Sequence, residues 1–226
     1  MAAGRYHHGD LRTALLDAAE ELIREKGADG WSLREASVRV GVSPSAAYHH
    51  FDSRDSLMAA LHERLLVRLA ERLSRDVGRA PEGPPRVIAY GRSYVRWAVE
   101  EPAVAGLAGG GRRAAAVSPH PHDVLAAELD RLVEGGHLPA AVRPGAEFVV
   151  WAAVHGLARL VADGHMRFDG AEDVDRQAER VTLAVLNGLA LEQTGDGAWP
   201  VARSPHTESL ARARTAPGSA PASPRG

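Results

Sequence analysis

The 226-residue sequence predicts an all-α protein: an N-terminal three-helix helix-turn-helix domain followed by a larger C-terminal helical domain. Three observations lead there. Residues 32–51 read as two short helices joined at Gly41-Val42. Leu57, Leu61, Leu65, Leu69 and Leu73 recur every four residues, the repeat of one helix face. Two long apolar helical patterns, over residues 146–162 and 173–193, close the ordered part of the chain.

Arg5-Tyr6-His7-His8-Gly9 precedes the first helix. It reads either as a frayed terminus or as an arm that touches phosphate or enters a minor groove. The first helix spans residues 10–26, capped by Asp10 and stopped by Gly27, with Leu11, Leu15, Ala18, Ala19, Leu22 and Ile23 as its apolar stripe. Glu20, Glu21 and Glu25 read as a solvated face. Ser32 caps the second helix, whose Leu33, Ala36, Ser37 and Val40 make a small, apolar face. Gly41 supplies a positive φ at the turn, and Val42 fills the corner. Ser43 caps the third helix with Pro44 in its first turn, and Ala47 and Phe51 face inward. A helix this short fits a DNA major groove.

Asp10-Leu11, Gly27, Gly41-Val42-Ser43 and Tyr48-x-His50-Phe51-x-x-Arg54 together resemble the N-terminal DNA-binding domain of the TetR family, over roughly the first quarter of the chain. The resemblance makes Tyr48 and His50 a phosphate-contacting pair and Arg54 the basic residue that opens helix four. Pro44, Ser45 and Ala46 point where base edges would lie, and Arg34 sits at the groove edge, facing guanine or phosphate. With the donors Ser32, Ser43 and His49, these complete the candidate DNA-binding set. His49 and His50 are adjacent and diverge, which argues against a shared metal.

Ser53 caps helix four, expected to end near Val77, with residues 78–85 a Pro/Gly linker. Helix five, residues 86–100, is apolar on most sides, as suits a central helix; Tyr90, Tyr94 and Trp97 lie along it at i, i+4, i+7. Such a stripe is core by default and can also line a pocket. A short helix over residues 102–107 follows, then a loop and candidate lid over residues 109–121. His120-x-His122 is weak metal bait without a partner cluster, and residues 122–134 form another helix. Trp151-Ala-Ala-Val-His155-Gly156 resembles the signature of the WHG-type C-terminal domain of one TetR group, which widens the resemblance to most of the chain. His155 reads first as a hydrogen-bonded core histidine and second as a ligand contact, and Gly156 as a point of close backbone approach. Tyr90, Tyr94, Trp97, Leu107, Trp151 and His155 are the candidate ligand-binding residues. The last helix carries a small-residue groove at Ala184 and Gly188. The resemblance implies that the last two long helices form a four-helix dimer interface. The expected division is residues 1–55 for DNA, 56–194 for ligand binding and dimerisation, and 195–226 as a disordered tail rich in Pro, Ala, Ser and Arg.

The chain has no cysteine, which excludes disulfides and thiolate metal sites. It begins without a signal-peptide pattern, and its most apolar run is too short to span a membrane, so a cytoplasmic protein is expected. The net charge of −2 does not advertise nucleic-acid binding. Any basic footprint must be local. No nucleophile elbow, phosphate loop, zinc-protease motif or carboxylate constellation points to an enzyme. The function expected is a sequence-specific DNA-binding regulator without cofactor: a homodimeric repressor released from a palindromic operator by a small, largely apolar molecule. The alternative is a DNA-bound factor of the same fold that works through a protein partner.

Overall fold

The computed structural model describes residues 8–110 and 118–192. Among these residues the chain forms α1 (His8–Lys26), α2 (Leu33–Val40), α3 (Pro44–Tyr48), α4 (Arg54–Arg79), α5 (Pro84–Glu100), α6 (Pro102–Gly110), α7 (Pro121–Glu134), a 3₁₀ turn (Ala140–Val142), α8 (Ala146–Ala162) and α9 (Ala171–Leu191), with no strand.

Several boundaries differ from the sequence expectation for identifiable reasons. α4 continues through Gly78, and Pro84-Pro85 open α5, so the expected linker shrinks to residues 80–83. Proline lacks an N–H that the first helical turn leaves unpaired anyway, so it starts a helix as readily as it breaks one. Pro121 opens α7 in the same way. α6 extends over Gly109 and Gly110, expected as loop. His8 and Gly9 already belong to α1, so Asp10 is not its cap. Arg5 to His7, residues 111–117 of the expected lid and the tail at 195–226 lie outside the described residues.

α5 is the central helix, packed against α4, α6, α7, α8 and α9. A Cβ at Gly91 would lie 2.3 Å from Thr182 Oγ1, so α5 and α9 approach there as closely as glycine permits. Gly156, expected to serve such an approach, has nothing within 4 Å of a Cβ position. Glu20 corrects the reading of α1 as well. It is buried, not solvated, because α4 closes over it and answers its charge. Arg24 reaches it at 2.5 Å, Arg64 at 2.9 Å and Arg68 at 2.6 Å. Burial alone would raise its carboxyl, and the guanidinium groups of Arg68, Arg24 and Arg64 outweigh that, holding it below the ordinary carboxylate range.

The apolar core runs without a break from Leu11 in α1 to Leu189 in α9, and the described residues belong to one compact unit. α8 and α9 keep an apolar outer face: Phe148, Val149, Leu160 and Leu191 are exposed, as are Ala184 and Gly188.

Candidate nucleic-acid interface and ligand cavities

The helix-turn-helix is built by its caps. The Ser32 hydroxyl accepts from the Glu35 backbone N–H at 3.2 Å, and the Glu35 carboxylate accepts from the Ser32 N–H at 2.9 Å. This reciprocal box fixes the start of α2. Gly41, at φ +80°, lets the Val42 N–H return to the Ser37 carbonyl at 3.0 Å. The Ser43 hydroxyl then accepts from the Ala46 N–H at 3.2 Å, and Pro44 fills the first position of α3. Each serine oxygen is thereby committed to a cap. The O–H of Ser43 remains able to donate, whereas that of Ser32 already points to Glu35 at 3.1 Å.

α3 is only five residues long and buries Ala47 completely. Pro44, Ser45, Tyr48 and His49 are exposed, His50 is half-buried, and Ala46 is partly turned onto the core. His49 and His50 lie just past the helix rather than on it. Of the ten candidate DNA-binding residues, seven therefore present open surface, with Ala46 and His50 half-turned inward and Arg54 half-buried.

The weak basic character of this head has a structural cause. Lys26 is held by Glu35 at 2.7 Å, and Arg39 by Glu25 at 2.6 Å with Glu21 at 3.5 Å. Arg54 is half-buried: its guanidinium donates to the Ala28 carbonyl, lies 4.9 Å from the Trp31 ring centroid, and has Asp29 and Asp55 nearby. Arg34 is exposed and has no acidic partner among the described residues. Arg12 is the same, its guanidinium carbon 4.9 Å from the Phe51 ring centroid. Sequence reasoning missed Arg12 and the buried Trp31, since their partners Phe51 and Arg54 lie far along the chain and no local periodicity links them.

Five of the six candidate ligand residues, Tyr90, Tyr94, Trp97, Trp151 and His155, form one packed aromatic cluster. Tyr90 stacks on Tyr94 with centroids 6.3 Å apart, and Trp97 meets Tyr94 edge-on at 6.2 Å. The Tyr94 hydroxyl and His155 Nδ1 are 2.9 Å apart, and the His155 ring stacks on Trp151 at 4.9 Å. His122 joins them against Trp151 at 4.8 Å. Tyr94 and His155 line a cavity of about 10 Å³ with Ala98, Ala105, Gly106 and Arg159, room for about one water. Tyr90, Trp97, Trp151 and Leu107 are not among its walls: Tyr90 and Trp97 pack on Tyr94, Trp151 on His155, and Leu107 against the core. The Tyr90 hydroxyl is buried without a hydrogen-bond partner. Burial pushes the Tyr90 hydroxyl pKa up and that of Tyr94 to about 12. Burial first, and then the neighbouring His120 at His122 and the Arg159 guanidinium at His155, lower the pKa of these two histidines.

A second, larger cleft of about 560 Å³ opens where the α5–α6 elbow faces the α8–α9 turn. Its walls include Met166, Arg167 and Phe168, from a stretch whose lack of periodicity hid it from the sequence reading.

Comparison with known proteins agrees with this architecture. A family model described as bacterial regulatory proteins, tetR family, matches residues 15–61. One described as the tetracyclin repressor-like C-terminal domain matches residues 87–186, which include Trp151 to Gly156. The uncharacterized HTH-type transcriptional regulator YobS of Bacillus subtilis strain 168 is 24% identical over 186 residues, 81% of this chain and 94% of YobS. A solved protein of unknown function from Rhodococcus sp. RHA1 has a TM-score of 0.63 at 30% identity, over 83% of this chain and 99% of that one. FadR of Bacillus subtilis, solved in complex with stearoyl-CoA, shares the fold with a TM-score of 0.63 at 13% identity, over 78% and 98%.

Proposed function

The chain belongs to the TetR family of bacterial regulatory proteins, which makes it a DNA-binding transcriptional regulator and not an enzyme; from that premise we propose that it is a homodimeric repressor, released from a palindromic operator by a small, largely apolar molecule. In this reading residues 1–55 bind DNA and residues 56–194 dimerise and sense the ligand, in the cytoplasm.

The observation that carries the reading is the exposed head: Ser45, Tyr48, His49 and Arg34 stand open to solvent on a capped helix-turn-helix. The apolar outer face of α8 and α9 supports a second copy as partner. Two heads must then keep a separation near 34–36 Å, about one turn of DNA, or a multiple of it. Small movements passed through α4 suffice to break that register. FadR's complex with stearoyl-CoA supports a ligand with a long apolar part, since the fold is shared.

The near-closed aromatic cavity favours the second reading, a DNA-bound factor that answers to a protein partner, because about 10 Å³ holds no effector without expansion. Two experiments separate the possibilities. A gel shift against genomic fragments at modest salt is expected to retain a fragment with an inverted repeat; retention of none overturns sequence-specific binding. Small molecules that raise the melting temperature are expected to release that fragment. Stabilisation without release supports the partner-dependent factor instead.

A further inference from the structure

We propose that the cleft between the α5–α6 elbow and the α8–α9 turn is a binding site for an amphipathic organic carboxylate, distinct from the aromatic cavity at Tyr94 and His155. The inference rests on the ligand-responsive reading above and moves its sensor from the aromatic cluster to this cleft.

Size is the first reason. At about 560 Å³ the cleft falls within the range of small-molecule pockets, and the aromatic cavity, at about 10 Å³, does not. Wall chemistry is the second. Val99, Pro102, Val161, Met166, Phe168 and Val174 line it. Val99 keeps 37% of its surface exposed there, an apolar cost that an apolar guest removes. The walls are preformed. The Met166 N–H donates to the Leu160 carbonyl at 3.0 Å, which folds the turn back onto α8, and both Met166 and Phe168 pack against the core.

Charge selects the head group. Three of the charged side chains that line the cleft are Arg96, Glu100 and Arg167. Asp175 holds Arg96 through two hydrogen bonds. Arg72 holds Glu100 at 2.6 and 3.2 Å. Arg167 is exposed and has no acidic partner among the described residues. These three side chains and their partners leave one unanswered positive charge beside an apolar hollow. A carboxylate on an alkyl tail satisfies both, with charge-assisted hydrogen bonds to the guanidinium.

The location gives the site a route to the DNA-binding head. Glu100 and Pro102 line the cleft, and Glu101 lies between them. Glu100 grips Arg72 of α4. Glu101 accepts from Arg24 of α1 at 2.9 Å, and Arg24 shares Glu20 with Arg64 and Arg68 of α4. The elbow thus holds both helices that position the helix-turn-helix. A guest that prefers one elbow geometry biases the head by its difference in affinity between the two.

Calorimetric titration of the full chain with decanoate, decanol and decyltrimethylammonium, without DNA, tests the site. Decanoate is expected to bind best. Arg167→Gln is expected to weaken decanoate about tenfold or more and leave decanol unchanged; Val99→Trp, which fills the cleft, is expected to abolish binding of every probe. Gly106→Ala fills the aromatic cavity, where its Cβ meets only the Arg159 guanidinium at 3.6 Å, and is expected to change nothing. Arg167 is a surface side chain, so its variant folds, and matching thermal melts verify that. Binding that survives both cleft variants, binding lost in Gly106→Ala, or absence of binding at millimolar probe overturns the site. Decanoate release of the gel-shifted fragment, lost in Glu101→Gln while binding persists, supports the route through the elbow. Binding without release keeps the site, overturns that route, and points the regulator reading to its partner-dependent form.

Discussion

Arg34 and Tyr48 carry the DNA-binding proposal because their side chains are exposed and uncommitted, whereas Lys26 and Arg39 are already paired. A residue that reads a base discriminates among sequences; one that grips phosphate weakens all of them alike. Arg34→Ala is therefore expected to change base preference at one operator position by about 1–3 kcal/mol, whereas Tyr48→Ala lowers affinity evenly, as measured by competition gel shifts over a set of operator variants. An even loss in Arg34→Ala makes Arg34 a phosphate clamp. Arg54 is a mixed case. Its match to the family's basic residue was readable in the sequence, but its stacking on Trp31 and its bond to Ala28 were not. Both partners come from the turn after α1, beyond the reach of any helical spacing rule.

Packing between elements turns on two contacts. Gly91 lets α5 lie against Thr182 of α9, whose hydroxyl is buried and donates to the Ala178 carbonyl at 2.8 Å. Gly91→Ala is expected to destabilise the fold by about 1–3 kcal/mol through overpacking. Adding Thr182→Ala should recover part of the melting temperature; no recovery would show that the cost arises elsewhere. The second contact joins α7 and α8 through His122, Trp151 and His155. The His122 and His155 pKa values are lowered in the folded chain, so below the unfolded value of 6.5 the unfolded state binds more protons. Their contribution to stability is fully present above pH 6.5 and is lost as pH falls through the lower folded values. Asp123 and Glu147 oppose the shift at His122, while His120 adds to it, as Arg159 does at His155. Melting temperatures are expected to fall as pH drops below 6.5, less steeply in His122→Phe, which keeps the ring contact without the titration.

At the scale of the whole molecule, the proposed dimer rests on the outer face of α8 and α9. Val149, Gly156 and Leu160 share one side of α8, and Ala184, Gly188 and Leu191 one side of α9. Gly156 and Gly188 have nothing within 4 Å of a Cβ position, which leaves room for a second backbone to come close. Leu160→Arg is expected to shift the chain from dimer to monomer in sedimentation and to reduce operator affinity steeply, because two half-sites no longer share one ligand. An unchanged sedimentation coefficient would remove this face from the interface.

The sequence by itself determined the helices, the caps at Ser32, Ser43 and Ser53, the turn at Gly41 and the family resemblance. All of these are written in residues a few positions apart, where spacing and capping chemistry act. Tertiary structure alone decided which charges stay free and where space remains. Glu20 is a buried hub only because Arg64 and Arg68 fold over it. Arg39 is neutral in effect only because α1 brings Glu25 alongside. The aromatic stripe of α5 was legible, yet it packs nearly solid, while the open cleft forms from the aperiodic turn before α9 closing on the α5–α6 elbow. Charge neutralisation and cavity volume are sums over neighbours distant in sequence, and no local pattern contains them.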